Sequence, residues 1–142
     1  INTKGRNTGE SRHVRLYHSM LKSPAWKYLS PVAFKLLVAV WSRYNGINNG
    51  KISFSVREGG DELNISKNTA HKAFKELEEK GFLKARRRGS FDWKVSMSGK
   101  GKGHATLWEI TALPFGDQGN QLASKEFMRW RKDSSKTKSR SQ

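Results

Sequence analysis

The stretch Ile65–Gly81 reads ISKNTAHKAFKELEEKG and carries signals for both ends of one helix. Ser66 suits the N-cap position, because its hydroxyl can accept a hydrogen bond from a free backbone N–H of the first turn. Gly81 supplies the left-handed residue that commonly ends a helix. Between them, apolar residues recur at helical spacing and predict one buried stripe, formed by Ala70, Phe74 and Leu77.

The other side of this predicted helix is polar, and its charges are unevenly distributed. The first half carries hydrogen-bond donors, namely Lys67, Asn68, His71, Lys72 and Lys75. The second half carries the acids Glu76, Glu78 and Glu79. A lysine-rich face is typical of an ordinary solvated helix, but this polarity also suits a helix whose N-terminal half meets phosphate groups and bases.

The composition indicates one strongly basic domain with tails. The chain has 142 residues, with 28 Lys and Arg against 12 Asp and Glu, and a net charge of +16. This excess favours a polyanionic partner, because binding releases the counterions of the polyanion. An anionic membrane surface is the competitor, but no apolar run reaches transmembrane length and no basic amphipathic helix of membrane type stands out. We therefore expect no membrane partner.

Two helix starts precede the opening stretch. Serine followed by proline, at positions 23–24 and 30–31, is typical of an N-cap with proline at the first helical position. Residues 32–44 are apolar nearly all round, which predicts a central helix covered on several sides.

A third helix start lies just before the opening stretch. Ser55 and Glu58 form a capping box, in which each side chain can satisfy a backbone N–H of the other residue. The helix should run from Ser55 to about Leu63. The glycines at 59–60 lie inside it at a cost of about 1 kcal/mol each relative to alanine, and they can permit close approach of a neighbouring helix.

Four short segments have strand patterns. One lies before this third helix, and three follow the opening stretch. Residues 51–54 follow a tight turn at Asn49-Gly50, and residues 82–88 follow the opening stretch directly. Residues 106–113 form another candidate strand, ended by Pro114. In residues 91–97, polar residues alternate strictly with an apolar stripe of Phe91, Trp93, Val95 and Met97.

The order is helix, strand, two helices across a short turn, and then a β-hairpin. This arrangement resembles the winged helix-turn-helix domains of the MarR and GntR families. The phrases ISKNTA at 65–70 and LEEKGFL at 77–83 are similar to their recognition helix and the start of their wing. More narrowly, SPAW at 23–26, RYNG at 43–46 and NNGKI at 48–52 resemble helix-turn-helix proteins of bacterial plasmids and mobile elements, including replication-initiator-like ones.

The resemblance covers about residues 14–114 and implies a mainly helical α+β domain, a winged helix-turn-helix with a small antiparallel sheet. We place this domain at residues 13–115. Residues 1–12 are expected to form a flexible basic arm, either disordered or tracking DNA. Residues 116–142 are expected to form a basic, largely disordered tail.

The resemblance also implies that residues 66–80 enter the major groove of double-stranded DNA. Asn68 can then read adenine through its amide, and Lys72 can reach guanine acceptors. Ser66 and Thr69 can donate to phosphate, as can the first amides of the helix. The implied recognition-helix contacts are Ser66, Lys67, Asn68, Thr69, His71, Lys72 and Lys75.

The same resemblance places a basic wing after the recognition helix. Residues 82–103 hold seven Lys and Arg against the single acid Asp92. These cations can clamp phosphates or enter a narrow minor groove, where the potential is most negative. The implied wing contacts are Arg86, Arg87, Arg88, Lys94, Lys100 and Lys102.

Two aromatic features have several interpretations. The apolar stripe at 91–97 can be extra sheet on the core, a dimer or partner surface, or a wedge for the minor groove. Trp130, flanked by Arg129 and Arg131, can dock a helix, stack on bases or belong to a disordered tail.

No pattern indicates an enzyme, a cofactor or a metal site. The chain has no cysteine, and the four histidines lack paired metal-ligand spacing. The run GKGKG at 99–103 lacks the Gly-Lys-Ser/Thr ending of a phosphate-binding loop. Asp61 and Glu62 are adjacent and so lie on different helix faces.

The leading hypothesis is sequence-specific binding of double-stranded DNA, in transcription regulation or replication initiation. The protein would then be cytoplasmic and nucleoid-associated, with a homodimer possible. The alternative is a protein-interaction module that assembles a nucleoprotein complex through the apolar stripe. RNA binding is weaker, because no aromatic-rich sheet motif for single strands is evident.

Overall fold

The computed structural model describes residues 11–89, 105–115 and 121–132. Within them the chain forms five α-helices and an antiparallel sheet of three short strands, which confirms the α+β class. In chain order the elements are α1 (His18–Leu21), α2 (Pro24–Lys27), α3 (Pro31–Trp41), β1 (Ile52–Ser53), α4 (Val56–Leu63), α5 (Lys67–Glu79), β2 (Leu83–Arg87), β3 (Leu107–Ile110) and a C-terminal 3₁₀ helix (Glu126–Arg129). The predicted strand at 91–97 and most of the predicted N-terminal arm lie outside the described residues.

The four predicted N-caps are confirmed. In α2 to α5 the serine before the helix accepts a hydrogen bond from a backbone N–H of the first turn, and these serines are Ser23, Ser30, Ser55 and Ser66. The capping box between Ser55 and Glu58 is complete in both directions. Asn64 and Gly81 have φ of 55° and 82°, so both take the left-handed conformation that allows a helix to end and the chain to turn.

The helix α3 lies in the centre of the domain, as its apolar sequence predicts. Its residues Ala33, Leu36, Leu37 and Val40 have no exposed surface. It packs against both α4 and α5. Since α4 and α5 are joined only by residues 64–66, the three helices form one layer that fixes the orientation of α5.

Two glycines in α4 allow this close packing. A Cβ on Gly59 would lie 3.3 Å from Cδ1 of Leu36 and 3.4 Å from Cε2 of Phe74. A Cβ on Gly60 would lie 3.1 Å from the carbonyl oxygen of Ile65. The prediction that these glycines permit close approach of a neighbouring helix is therefore confirmed for Gly59, whereas Gly60 makes room mainly for the turn before α5.

The sheet covers one side of this helical layer. The strand β3 lies between β1 and β2 and is antiparallel to both. Trp108 in β3 stacks on Phe74 of α5, with ring centroids 5.0 Å apart and an angle of 5° between the rings. Its indole N–H donates to the carbonyl oxygen of Phe54 at 2.9 Å. This aromatic contact attaches α5 to the sheet.

Asn49 connects the loop before β1 to the segment after β3. Its side chain is buried, and its Nδ2 lies 2.9 to 3.0 Å from the carbonyl oxygens of Ile110, Leu113 and Pro114. Its Oδ1 accepts from the backbone N–H of Ile110 at 2.7 Å. The sequence predicts only a tight turn here. The turn is present, but the side chain also joins segments 61 or more residues apart.

The C-terminal segment corrects the predicted end of the domain. Phe127 of the 3₁₀ helix is 2% exposed and stacks on Phe82, with ring centroids 5.1 Å apart. The backbone N–H of Lys125 donates to the carbonyl oxygen of Thr111 at 2.8 Å. Residues 121–132 are thus part of the folded domain rather than a disordered tail, because Phe127 fills a place in the core. Residues 116–120 and 133–142 lie outside the described residues.

Gly81 is needed for this docking as well as for the end of α5. A Cβ at this position would lie 2.9 Å from the carbonyl carbon of Glu126, which is closer than real Cβ contacts. Trp130 then lies beside Tyr28, with centroids 5.8 Å apart, and the ammonium of Lys80 lies 5.2 Å above its ring. Of the three interpretations of Trp130, docking on the domain is the observed one, although through a 3₁₀ helix.

Glu76 caps a helix other than its own. Its carboxylate accepts from the backbone N–H of Ser30 at 2.7 Å and from the Ser30 hydroxyl at 2.8 Å. It therefore joins α5 to the N-terminus of α3.

We expect Glu76→Ala to lower the free energy of unfolding by about 2 kcal/mol, because charge-assisted hydrogen bonds to a half-buried N-cap are lost. Urea unfolding followed by circular dichroism measures the change. Glu79→Ala on the exposed side of α5 is the control and should have little effect. Equal stability of the two variants would contradict the capping role.

Candidate nucleic-acid interface

The outward face of α5 carries the donors that the sequence predicts. The side chains of Lys67, Asn68, His71, Lys72 and Lys75 are all exposed. The opposite face is buried against α3, α4 and the sheet and consists of Ala70, Ala73, Phe74 and Leu77. Because the core holds the apolar face, the donor face is presented to solvent in a fixed orientation.

The start of α5 has two hydroxyl groups, on Ser66 and Thr69. The Ser66 hydroxyl donates its hydrogen within the domain, whereas the Thr69 hydroxyl is still able to donate. The Ser66 hydroxyl accepts from the backbone N–H of Thr69 at 3.1 Å and donates to Thr69 Oγ1 at 2.8 Å. Ser66 therefore uses its single donor inside the cap. The Thr69 hydroxyl accepts that bond and can still donate, so it is the better of the two predicted phosphate donors.

Two of the three acids of α5 are paired within the domain. Glu76 caps α3 and also lies 3.6 Å from the ammonium of Lys80. Glu78 accepts two hydrogen bonds from the guanidinium of Arg88, at 2.5 and 3.0 Å. Glu79 is exposed and makes no ion pair with another described residue. The donors at the start of α5 therefore have no acidic partner in the described parts of the chain.

The acids of α4 are paired in a similar way. The guanidinium of Arg43 binds Glu58 at 2.7 Å, and it also binds Glu62. It donates to the carbonyl oxygen of Ser53 and lies 4.0 Å above the ring of Phe54. The Arg43 guanidinium holds the pKa of Glu58 below its usual value, although partial burial opposes this shift. One arginine thus pairs with two carboxylates of α4.

Arg86 is engaged on the sheet rather than free for a ligand. Its guanidinium lies 3.4 Å from the carboxylate of Glu109 and 4.5 Å above the ring of Phe115. Glu109 is 3% exposed, and burial raises its pKa, whereas the charges of Arg86 and Lys84 lower it. If the Arg86 guanidinium moved to a phosphate, the buried carboxylate of Glu109 would lose its nearest cation.

Arg87 and Arg88 point to opposite sides of β2. A β-bulge between Ala85 and Arg87 pairs Arg87 with Leu107, the residue next to Trp108. Since Trp108 faces α5 and neighbouring strand residues alternate in direction, Arg87 faces away from α5. It is exposed and has no ion pair among the described residues. Arg88 instead reaches α5 through Glu78, and this carboxylate raises the pKa of Arg88.

Lys94, Lys100 and Lys102 lie outside the described residues, as does the apolar stripe on which the protein-interaction alternative depends. Of the six wing cations, the structure describes the three arginines, and it brings only Arg88 next to α5.

A groove of about 420 Å³ separates α5 from the ends of β2 and β3. His71, Lys75 and Glu78 form its α5 side. Arg88, Gly89 and Thr106 form its sheet side, where Thr106 Oγ1 accepts from the backbone N–H of Gly89 at 2.8 Å. The floor is formed by core aromatic rings, including Phe74 and Trp108.

Arg57 is a further basic residue that was not predicted as a site residue. It is exposed in the first turn of α4 and has no ion pair among the described residues. A cation at a helix N-terminus is unfavourable toward the helix dipole, so its presence there has no local structural benefit.

Metal and membrane features are absent from the part of the chain that the structure describes. No group of three or more His, Asp or Glu residues is placed to hold a metal ion there. No helix in those same ranges has both the length and the apolar character that crossing a membrane requires.

Comparison with known proteins gives no family for this chain. No protein-family model matches it, and no curated protein and no solved structure matches it at a significant level.

Proposed function

We propose that this protein binds double-stranded DNA sequence-specifically, with α5 as the helix that enters the major groove. One observation carries the proposal. The exposed face at the start of α5 bears cations and neutral donor groups but no acid, while Glu76 and Glu78 of the same helix are turned to partners within the domain. A rigid helix with an unneutralised donor face is suited to phosphates and to the acceptor edges of bases.

We further propose that the domain is a winged helix-turn-helix. The order of α3, β1, α4, α5, β2 and β3 supports this, as does the position of β3 between β1 and β2. The connection from β2 to β3 includes residues 90–104, which lie outside the described residues. This proposal assigns α4 and α5 to the helix-turn-helix, with the turn at residues 64–66.

In this arrangement, base readout falls to two residues of the exposed face. Asn68 can bind the N6 and N7 edge of adenine, and Lys72 can donate to the O6 and N7 acceptors of guanine. Thr69 and the first amides of α5 can donate to phosphate and so set the position of the helix. The process served would be transcription regulation or replication initiation, with the protein associated with the nucleoid.

Selection from a random duplex library, followed by sequencing, identifies the site that tests this proposal. We then expect Asn68→Ala and Lys72→Ala each to weaken the selected duplex by about 1–3 kcal/mol, roughly five- to 150-fold. The affinity for a random duplex should fall less, because a random duplex offers these side chains only phosphate contacts. Fluorescence anisotropy with both duplexes measures the difference.

Lys35→Ala is the matched control, since it removes one exposed lysine charge from α3 rather than α5. It should leave the ratio of selected to random affinity unchanged. Equal losses on both duplexes for Asn68→Ala and Lys72→Ala would contradict base readout by α5. A library that yields no enriched sequence would contradict specificity itself.

A further inference from the structure

We propose that the groove between α5 and the ends of β2 and β3 seats one backbone phosphate of DNA, and that Glu78 competes with this phosphate for Arg88. The inference rests on the proposed function and adds a particular contact to it. It assigns Arg88 an exchange of partners: carboxylate in the free protein, phosphate in the complex. Glu78 becomes a residue that restrains affinity.

The first support is the position of the cations around the groove. His71 and Lys75 line its α5 side, one helical turn apart, and Glu78 follows on the same side of the helix. Arg88 faces them from the end of β2. An anion in the groove would thus meet side-chain donors from two elements, directly beside the face of α5 that we assign to bases.

The second support is that the pair between Glu78 and Arg88 can be exchanged at little cost. The Arg88 side chain is 71% exposed and that of Glu78 is 21% exposed. Water screens a pair whose arginine is this exposed, and ordering both side chains costs entropy, so the pair costs less to break than a fully buried one. A phosphate offers the guanidinium the same two-oxygen geometry as the carboxylate.

Arg88 differs from Arg86 in this respect. Glu109, the partner of Arg86, is 3% exposed, and a buried carboxylate that loses its cation carries a large penalty. Glu78 is reached by solvent and can be rehydrated when its arginine leaves. Of the two paired arginines among the predicted wing cations, Arg88 is therefore the one that can be transferred to a phosphate.

The opposite reading is that Glu78 braces Arg88 and thereby positions the base of the wing. The two readings predict opposite signs for one substitution. Glu78→Gln keeps the size of the side chain and an oxygen acceptor but removes the charge. Exchange predicts tighter DNA binding by this variant, whereas bracing predicts weaker binding.

Binding of the full chain to the selected duplex, measured by anisotropy at several salt concentrations, tests the exchange. We expect Glu78→Gln to tighten binding about two- to fivefold, from the usual strength of an exposed ion pair. We expect Arg88→Ala to weaken binding and to reduce the slope of log affinity against log salt by about 0.9, the loss of one phosphate contact. When Arg88 is already replaced by alanine, Glu78→Gln should tighten binding only as much as the loss of one negative charge does by itself.

Glu79→Gln supplies that charge effect, since it removes one acid from the same helix at an exposed residue without an ion pair among the described residues. A gain for Glu78→Gln that exceeds the gain for Glu79→Gln, and that disappears without Arg88, supports the exchange. Equal gains, or weaker binding by Glu78→Gln, overturn it while leaving the proposed function intact. Absence of duplex binding by the parent protein overturns the proposed function itself.

Discussion

Replacing Asn49 by aspartate is expected to lower the free energy of unfolding by about 3 kcal/mol or more. The substitution removes the hydrogen bonds that the amide donates and places a negative charge in a buried site. In the parent protein, Nδ2 of Asn49 donates within a cluster of three backbone carbonyl oxygens. A carboxylate has no hydrogen to donate and places a negative oxygen against the same three acceptors. The substitution keeps the shape of the side chain, so the loss reports hydrogen bonding rather than packing.

Urea unfolding at neutral pH, followed by circular dichroism, measures this loss. Asn45→Asp in the same loop is the matched control. The Asn45 side chain is exposed, and its Oδ1 accepts from the backbone N–H of Ile47 at 3.0 Å, a role that aspartate retains. We expect the control to remain within about 0.5 kcal/mol of the parent. Similar stabilities for the two aspartate variants would show that the Asn49 network does not hold the sheet.

Raising the salt concentration from about 50 to about 200 mM is expected to weaken duplex binding about a thousandfold or more, if about six to ten phosphates are neutralised. The physical reason is that counterions released from DNA on binding must be released into a more concentrated solution. The net charge of +16 supplies the cations. Six acids of the described residues are already paired within the domain, namely Glu58, Glu62, Glu76, Glu78, Glu109 and Glu126.

Anisotropy titrations at four or more salt concentrations give the slope of log affinity against log salt. Lys72→Ala should reduce the magnitude of this slope by less than Arg88→Ala does, if Lys72 mainly reads a base and Arg88 mainly binds a phosphate. A slope near zero for the parent protein would remove the electrostatic argument. It would favour the protein-interaction alternative over nucleic-acid binding.

Much of the secondary structure could be predicted because its determinants are close in the sequence. Each N-cap serine bonds a backbone N–H three residues later, so Ser55 and Ser66 reveal α4 and α5 without any knowledge of the fold. The exposed donors of α5 could likewise be predicted, since helical spacing alone separates them from Phe74 and Leu77. Their role in binding DNA stays a prediction.

The partners of the charged side chains could not be predicted in the same way. Glu76 and Glu78 looked alike as acids near the end of one helix. Glu76 binds Ser30, which is 46 residues away, and Glu78 binds Arg88 across the gap to the sheet. The Arg86, Arg87 and Arg88 run looked like one basic patch, but a β-bulge and two acids give its members three different environments.

The sequence by itself therefore determined most of the helices and strands of the described residues, where α5 begins and ends, and which of its faces carries donors. These features follow from interactions within a few residues and from the period of the apolar positions. The tertiary structure alone decided that Phe127 completes the core, that Asn49 joins two distant segments, and which arginines are held by acids. Those outcomes depend on contacts between residues far apart in the chain, and no local pattern encodes such distances.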